Sequence, residues 1–202
     1  MAYYYGMKIG FRKDILNYFE ESSALKVSFA KDHWKSIEAI VKCIAKALKN
    51  GHKILLFGNG GSAADAQHIA AEFVNRFQIE RRPLPAIALT TDTSIITSIG
   101  NDYNFVDVFS KQIMALGRKK DIAIGITTSG NSPNVLKGLK QARMQGLTTI
   151  GFLGRNGGKA KNLCDLKIIV NAESTSFIQE AHITTAHVIC LLVDKVLYGK
   201  SR

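Results

Sequence analysis

Five short apolar runs rich in β-branched residues recur along the chain: Lys53 to Phe57, Ala86 to Leu89, Asp121 to Ile126, Thr148 to Phe152 and Leu166 to Val170. Each has the length of a strand and is too continuously apolar to keep one face wet, so each reads as a strand buried on both sides. Most of the intervals between them carry a helical period, including Ala63 to Phe77, Val106 to Leu116 and Pro133 to Gln145. Strand and helix alternating in this way confine the chain to an α/β fold, a parallel five-stranded sheet covered by helices on both faces. Two helical patterns precede the first strand, Lys13 to Phe29 and Asp32 to Asn50, with Asn50-Gly51 as the stop signal. A final helix of about Phe177 to Tyr198 closes the chain. The expectation is one three-layered αβα domain over residues 1–202, with residues 10–50 as an N-terminal helical extension.

Composition narrows the function classes. With 46% apolar residues the 202-residue chain can bury one substantial core. Apolar runs such as Val188 to Val193 are far too short to cross a bilayer, and the first ten residues lack the apolar stretch of a signal peptide. A cytoplasmic protein without a membrane partner is expected. Cys43, Cys164 and Cys190 have no C-x-x-C spacing, so neither a disulfide framework nor a thiolate zinc site is indicated. The formal charge of +11 is spread along the sequence and no run of interleaved aromatics offers a base-stacking platform, which argues against a nucleic-acid surface.

In a doubly wound sheet the ligand sits at the carboxyl ends of the strands, so the loops after Phe57, Leu89 and Ile126 matter most. The first is Gly58-Asn59-Gly60-Gly61-Ser62, which leads straight into a helix whose free N–H groups and positive dipole end attract an anion. Gly58, Gly60 and Ala63 also satisfy a dinucleotide fingerprint, but the acidic residue it demands about 20 positions on is missing, Asp92 being too far away. The third loop, "GITTSGNSPN", crowds Thr127, Thr128, Ser129 and Ser132 at a strand end, with Pro133 placed for the first turn of the next helix. An ordinary N-cap needs one hydroxyl; four can enclose a phosphate together with helix N–H groups.

His68 and Glu72 are four apart on the helix that begins at the glycine loop, so they share a face about two turns from the presumed ligand. Such a pair on its own is usually a surface feature. Its position, among Ala63, Ala64, Ala66, Ala70 and Ala71, instead suggests a closely packed helix with two polar groups turned into a cleft. On the last helix Gln179 and His187 lie about 80° apart around the axis and His182 and His187 about 140°, so the two histidines have different roles.

Taken together, "GNGGSAADAQHIAAEFVNRF", "IGNDY", "TTSGNSPNV" and "IQEAHITTAH" resemble the sugar isomerase (SIS) domain family, most closely its branch acting on seven-carbon sugar phosphates. The resemblance covers about residues 10 to 198. It implies an aldose-ketose isomerase that converts D-sedoheptulose 7-phosphate to D-glycero-D-manno-heptose 7-phosphate through an enediol, the first step of nucleotide-activated heptose synthesis. Sugar-phosphate contacts would fall on Asn59, Gly60, Gly61, Ser62, Glu72, Asn101, Asp102, Thr127, Thr128, Ser129, Ser132 and Gln179. The acid/base pair would be Glu72 and His187, and a zinc ion, held in some members, would take His68, Glu72, Gln179 and His187. A homotetramer with active sites at subunit interfaces is also implied, leaving open whether Glu72 and His187 of one site come from one chain.

Two positions depart from the family pattern: Thr127 replaces a common serine, and Phe177 stands where many relatives have arginine. Within the same family the alternatives are a non-enzymatic tetramer that scaffolds the bacterial replication initiator, a sugar-phosphate-sensing regulator, and an isomerase or lyase for another phosphosugar. A scaffold has no need of Glu72, Gln179 and His187 together, and the regulator would carry a DNA-binding module that is not evident here.

Overall fold

The computed structural model describes residues 11–199. Its five strands are β1 (Ile54–Gly58), β2 (Ala86–Ala88), β3 (Ile122–Thr127), β4 (Thr148–Gly154) and β5 (Leu166–Val170). They form one parallel sheet in the order β2-β1-β3-β4-β5. Side chains alternate across it. Ile54, Leu56, Ile124, Ile150, Phe152 and Ile168 belong to one core, and Leu55, Phe57, Ala123 and Leu153 to another. The first core is closed by α1 (Phe11–Lys49), α2 (Gly61–Val74) and α6 (Thr175–Tyr198), the second by α4 (Val108–Leu116) and α5 (Pro133–Met144). Burial on this scale favours folding by roughly 1.5–3 kcal/mol for each large aliphatic side chain. The inner strands are buried on both faces as expected, but the edge strands β2 and β5 are not: Ile87 and Lys167 are exposed, because nothing among the described residues covers that side of the sheet edge in the single chain.

Where two N-terminal helices were expected there is one, the 39-residue α1. Asp32 reads as a helix start, yet nothing between Phe29 and His33 breaks a helix, and the rings of those two residues stack at 4.5 Å one turn apart. The two halves differ in environment. Phe11, Ile15 and Phe19 are exposed, whereas Ile40, Val41, Ile44 and Leu48 are core residues of the domain. A short helix, α3 (Thr93–Asp102), was not anticipated; Asp92 caps it by accepting from the Ile95 N–H at 2.9 Å.

Helix α6 spans 24 residues, and an 18-residue stretch of it has a mean hydropathy of 1.3, enough by length and composition alone to cross a bilayer. In this fold it is a core helix: Ile178, Ala181, Ile189 and Val193 are buried in the first core. Phe177 sets its ring edge-on against Tyr18 of α1 at 4.7 Å.

Candidate functional site

Strand order reverses between β1 and β3: the chain leaves β1 for β2 on one side and continues from β3 outward on the other. Gly58 and Ile126 are partners in register, so the two loops that follow them lie side by side at the carboxyl edge, where such sheets bind ligands. A reciprocal amide pair ties them. Asn59 donates to Asn134 Oδ1 at 2.9 Å, and Asn134 donates to Asn59 Oδ1 at 2.8 Å. Asn134 is buried and was not singled out from the sequence, although it sits in the quoted motif. Its cue was local: an amide directly after the Ser-Pro that opens a helix.

Gly60 has φ +55°, a left-handed conformation that favours glycine, and α2 begins at the next residue. A side chain at Gly61 would collide with the Gln179 amide, so this glycine lets α6 approach the start of α2. In the loop after β3 the hydroxyls turn toward one another: Thr127 Oγ1 lies 2.9 Å from Ser132 Oγ and 3.4 Å from Ser129 Oγ, and Ser129 Oγ accepts from the Asn131 N–H at 3.1 Å. Ser132 is the N-cap of α5, with Pro133 following. The hydroxyl of Thr127 thus joins the Ser129 and Ser132 hydroxyls in one network.

Two turns along α2 the side chains of His68 and Glu72 meet His187 of α6. His68 Nε2 is 3.1 Å from Glu72 Oε1 and 3.0 Å from His187 Nε2. One ligand atom from each of the three residues falls within 4.8 Å of the others. All three belong to one chain. Two imidazole nitrogens and a carboxylate oxygen are donors of the type zinc takes, and facing ring nitrogens suit either a shared proton or a shared cation. Gln179, two turns before His187 on α6, lies against Gly61 at the loop end of the same helix pair. His68 remains half exposed, and Glu72 is less so.

The stripe of α2 that faces α6 includes Asp65, one turn before His68. Burial holds its carboxyl above the usual range, opposed by the charge of His68, and its Oδ2 is buried without a partner. Phe77 stacks on the His187 ring at 5.6 Å and 23°. Neither residue was picked out from the sequence. Asp65 differs in no visible way from a helix-surface aspartate, and Phe77 lies just beyond the end of α2.

His182 is elsewhere, buried beneath β4. Its Nε2 donates to the Leu153 carbonyl oxygen at 3.1 Å, its Nδ1 has no partner, and desolvation drives its pKa down to about 4. Asn101 and Asp102 are exposed in the last turn of α3, with the Asn101 amide donating to Asp102 Oδ1 at 2.9 Å.

Comparison with known proteins bears on the family and the fold. The SIS domain family matches residues 17–154. A phosphoheptose isomerase from Aquifex aeolicus is 56% identical over 91% of this chain and 96% of its own length. Among solved structures, a phosphoheptose isomerase from Neisseria gonorrhoeae superposes with a TM-score of 0.87 at 41% identity, covering 92% of this chain and 99% of that one. Another from Francisella tularensis gives 0.89 at 37% identity, covering 93% and 100%.

Proposed function

The chain belongs to the SIS-domain family and, like the phosphoheptose isomerases within it, is a phosphosugar isomerase; from that premise we propose that Glu72 and His187 carry its proton transfers. The substrate is D-sedoheptulose 7-phosphate and the product D-glycero-D-manno-heptose 7-phosphate. The observation that carries the residue assignment is the convergence of His68, Glu72 and His187 beside the paired loops of β1 and β3.

The Glu72 carboxylate takes the proton from C1 of the open-chain ketose, the electron pair forms the C1–C2 double bond, and His187 protonates O2 to give the enediol. Return of the proton from Glu72 to C2, with loss of the O1 proton to His187, yields the aldose. The phosphate rests in the loop of Thr127, Thr128, Ser129 and Ser132, and Asn59 to Ser62 contact the sugar hydroxyls. Binding energy gathered there orients the distant reacting carbons. Gln179 and the α3 pair Asn101 and Asp102 complete the contacts in this reading.

His68, Glu72, Gln179 and His187 would hold a zinc ion, whose contribution when bound is to polarise the substrate oxygens. His68 is half exposed in the single chain. That openness supports a homotetramer in which a neighbouring subunit closes the site, and a cytoplasmic enzyme fits a sugar-phosphate substrate. We read residues 1–202 as one SIS domain, to which the second half of α1 contributes core side chains. The scaffold alternative is not favoured at 56% identity to an isomerase.

The deciding experiment incubates the purified protein with sedoheptulose 7-phosphate, with zinc or with chelator, and follows aldose formation by NMR. Turnover in the wild type and a fall of at least about a thousandfold in Glu72→Gln, with phosphate binding kept, is expected for loss of the proton-transferring group. Substantial turnover in that variant removes Glu72 from the role.

A further inference from the structure

The proposed reacting groups come from two helices, Glu72 from α2 and His187 from α6, so their alignment depends on whatever fixes one helix against the other. Behind them lies one buried cation. Arg81 belongs to the irregular segment between α2 and β2, and its side chain is 1% exposed. Its Nη2 donates to the Glu72 carbonyl oxygen at 2.9 Å, and its Nη1 to those of Phe73 at 2.8 Å and Asn75 at 3.3 Å. These are carbonyls of the last turn of α2 and its cap, which helix geometry leaves without intrahelical donors and which favour a positive charge. On the other side Nε donates to Asp194 Oδ1 at 2.7 Å. Asp194 follows His187 by two turns on the same stripe of α6.

One guanidinium therefore grips the backbone of the glutamate itself and a carboxylate in line with the histidine. Its planar fork fixes direction as well as distance, which a single ammonium does not. The pair is a poor stabilising device: Asp194 Oδ2 is buried with no partner, and burying two charges costs about as much as their attraction returns. We propose that Arg81 and Asp194 are positioning residues for the isomerisation, holding Glu72 and His187 at the separation that proton transfer requires. The inference rests on the reading of those two as the reacting pair.

The test uses Arg81→Lys and Asp194→Asn in the full chain, each compared with wild type well below its own melting temperature. Two quantities are read: kcat and KM for sedoheptulose 7-phosphate, and the ring 1H–15N signals of His68 and His187. Misplacement of reacting groups by a fraction of an ångström predicts a kcat loss of about tenfold or more in Arg81→Lys. KM should stay within about threefold, because the phosphate loop is held by other contacts. The histidine signals should shift in the same variant, and Asp194→Asn should show smaller changes of the same sign.

A purely structural clamp would lower the melting temperature and leave kcat and the ring signals at wild-type values; that result overturns the proposal. If Arg81→Lys does not fold, the isosteric Asp194→Asn decides by the same criteria. Wild-type turnover retained in Glu72→Gln would overturn the reading of the reacting pair instead, and unmoved ring signals in Arg81→Lys would still overturn the positioning role.

Discussion

Acid should weaken this fold through a single buried imidazole. His182 sits beneath β4 with one ring nitrogen bonded to the Leu153 carbonyl and the other bare, and its pKa is held at about 4 against an ordinary 6.5. The folded-state value is depressed, so the unfolded chain takes up the proton first as pH falls. The stability is fully present above about pH 6.5 and drains away between there and about pH 4. The full interval is worth about 3 kcal/mol, at about 1.4 kcal/mol per pKa unit, and about 2 kcal/mol of it is gone by about pH 5. His182→Gln places an amide donor near the Nε2 position and cannot titrate. Urea unfolding of both proteins near pH 7 and near pH 5, at one fixed protein concentration because assembly shifts apparent stability, isolates the effect. The wild type should lose about 2 kcal/mol more than the variant over that range, whatever the variant's stability at neutral pH. Equal losses would refute the buried neutral imidazole as the source.

The paired loops make further demands. Asn134→Ala removes both halves of the amide exchange with Asn59 and leaves a half-buried amide unmatched, so it should cost about 1–3 kcal/mol in urea unfolding. The same variant should weaken substrate binding, read by calorimetry with a sugar phosphate, because the two loops lose their tie. Ser129→Ala deletes a hydroxyl from the proposed phosphate loop and should raise KM severalfold with kcat changed far less; a variant that loses kcat and keeps KM would move Ser129 out of phosphate binding.

The sheet was readable because its inner strands are apolar and buried on both faces, and even β5, which exposes Lys167 at the sheet edge, begins and ends where its largely apolar run does. The helices were less so. The break expected near Phe29 rested on Asp32 as a start signal, but a polar residue that caps one helix is tolerated inside another when no glycine or proline interrupts. Helix α3 has the opposite character: threonine, serine and a glycine give it weak propensity, and its Asp92 cap and burial of Ile99 stabilise it in place. At the site, His68 and Glu72 were visible as a pair at helical spacing, while the part of His187 came from the family resemblance and not from spacing. Arg81 was not, because a buried arginine in an irregular loop has the same sequence appearance as the exposed Arg82 beside it, and only the three-dimensional path of the chain distinguishes them.

Under the proposed assignment the phosphate is held without a lysine or arginine in either loop, and the topology supplies a physical basis for that. Neither Gly58 to Ser62 nor Gly125 to Asn134 contains a basic residue. Because β1 and β3 are neighbours in register, the helices that follow them, α2 from Gly61 and α5 from Pro133, open at the same edge of the sheet. Their unpaired N–H groups and dipole ends supply positive potential to one crevice, and the hydroxyls of Thr127, Ser129 and Ser132 supply donors whose number and direction are fixed. A lysine there would add a mobile point charge in place of donors whose direction the backbone fixes. If the net charge of +11 assists long-range capture of a dianionic substrate, kcat/KM should fall as ionic strength rises; a rate that ignores salt would leave recognition to the geometry of the proposed loops.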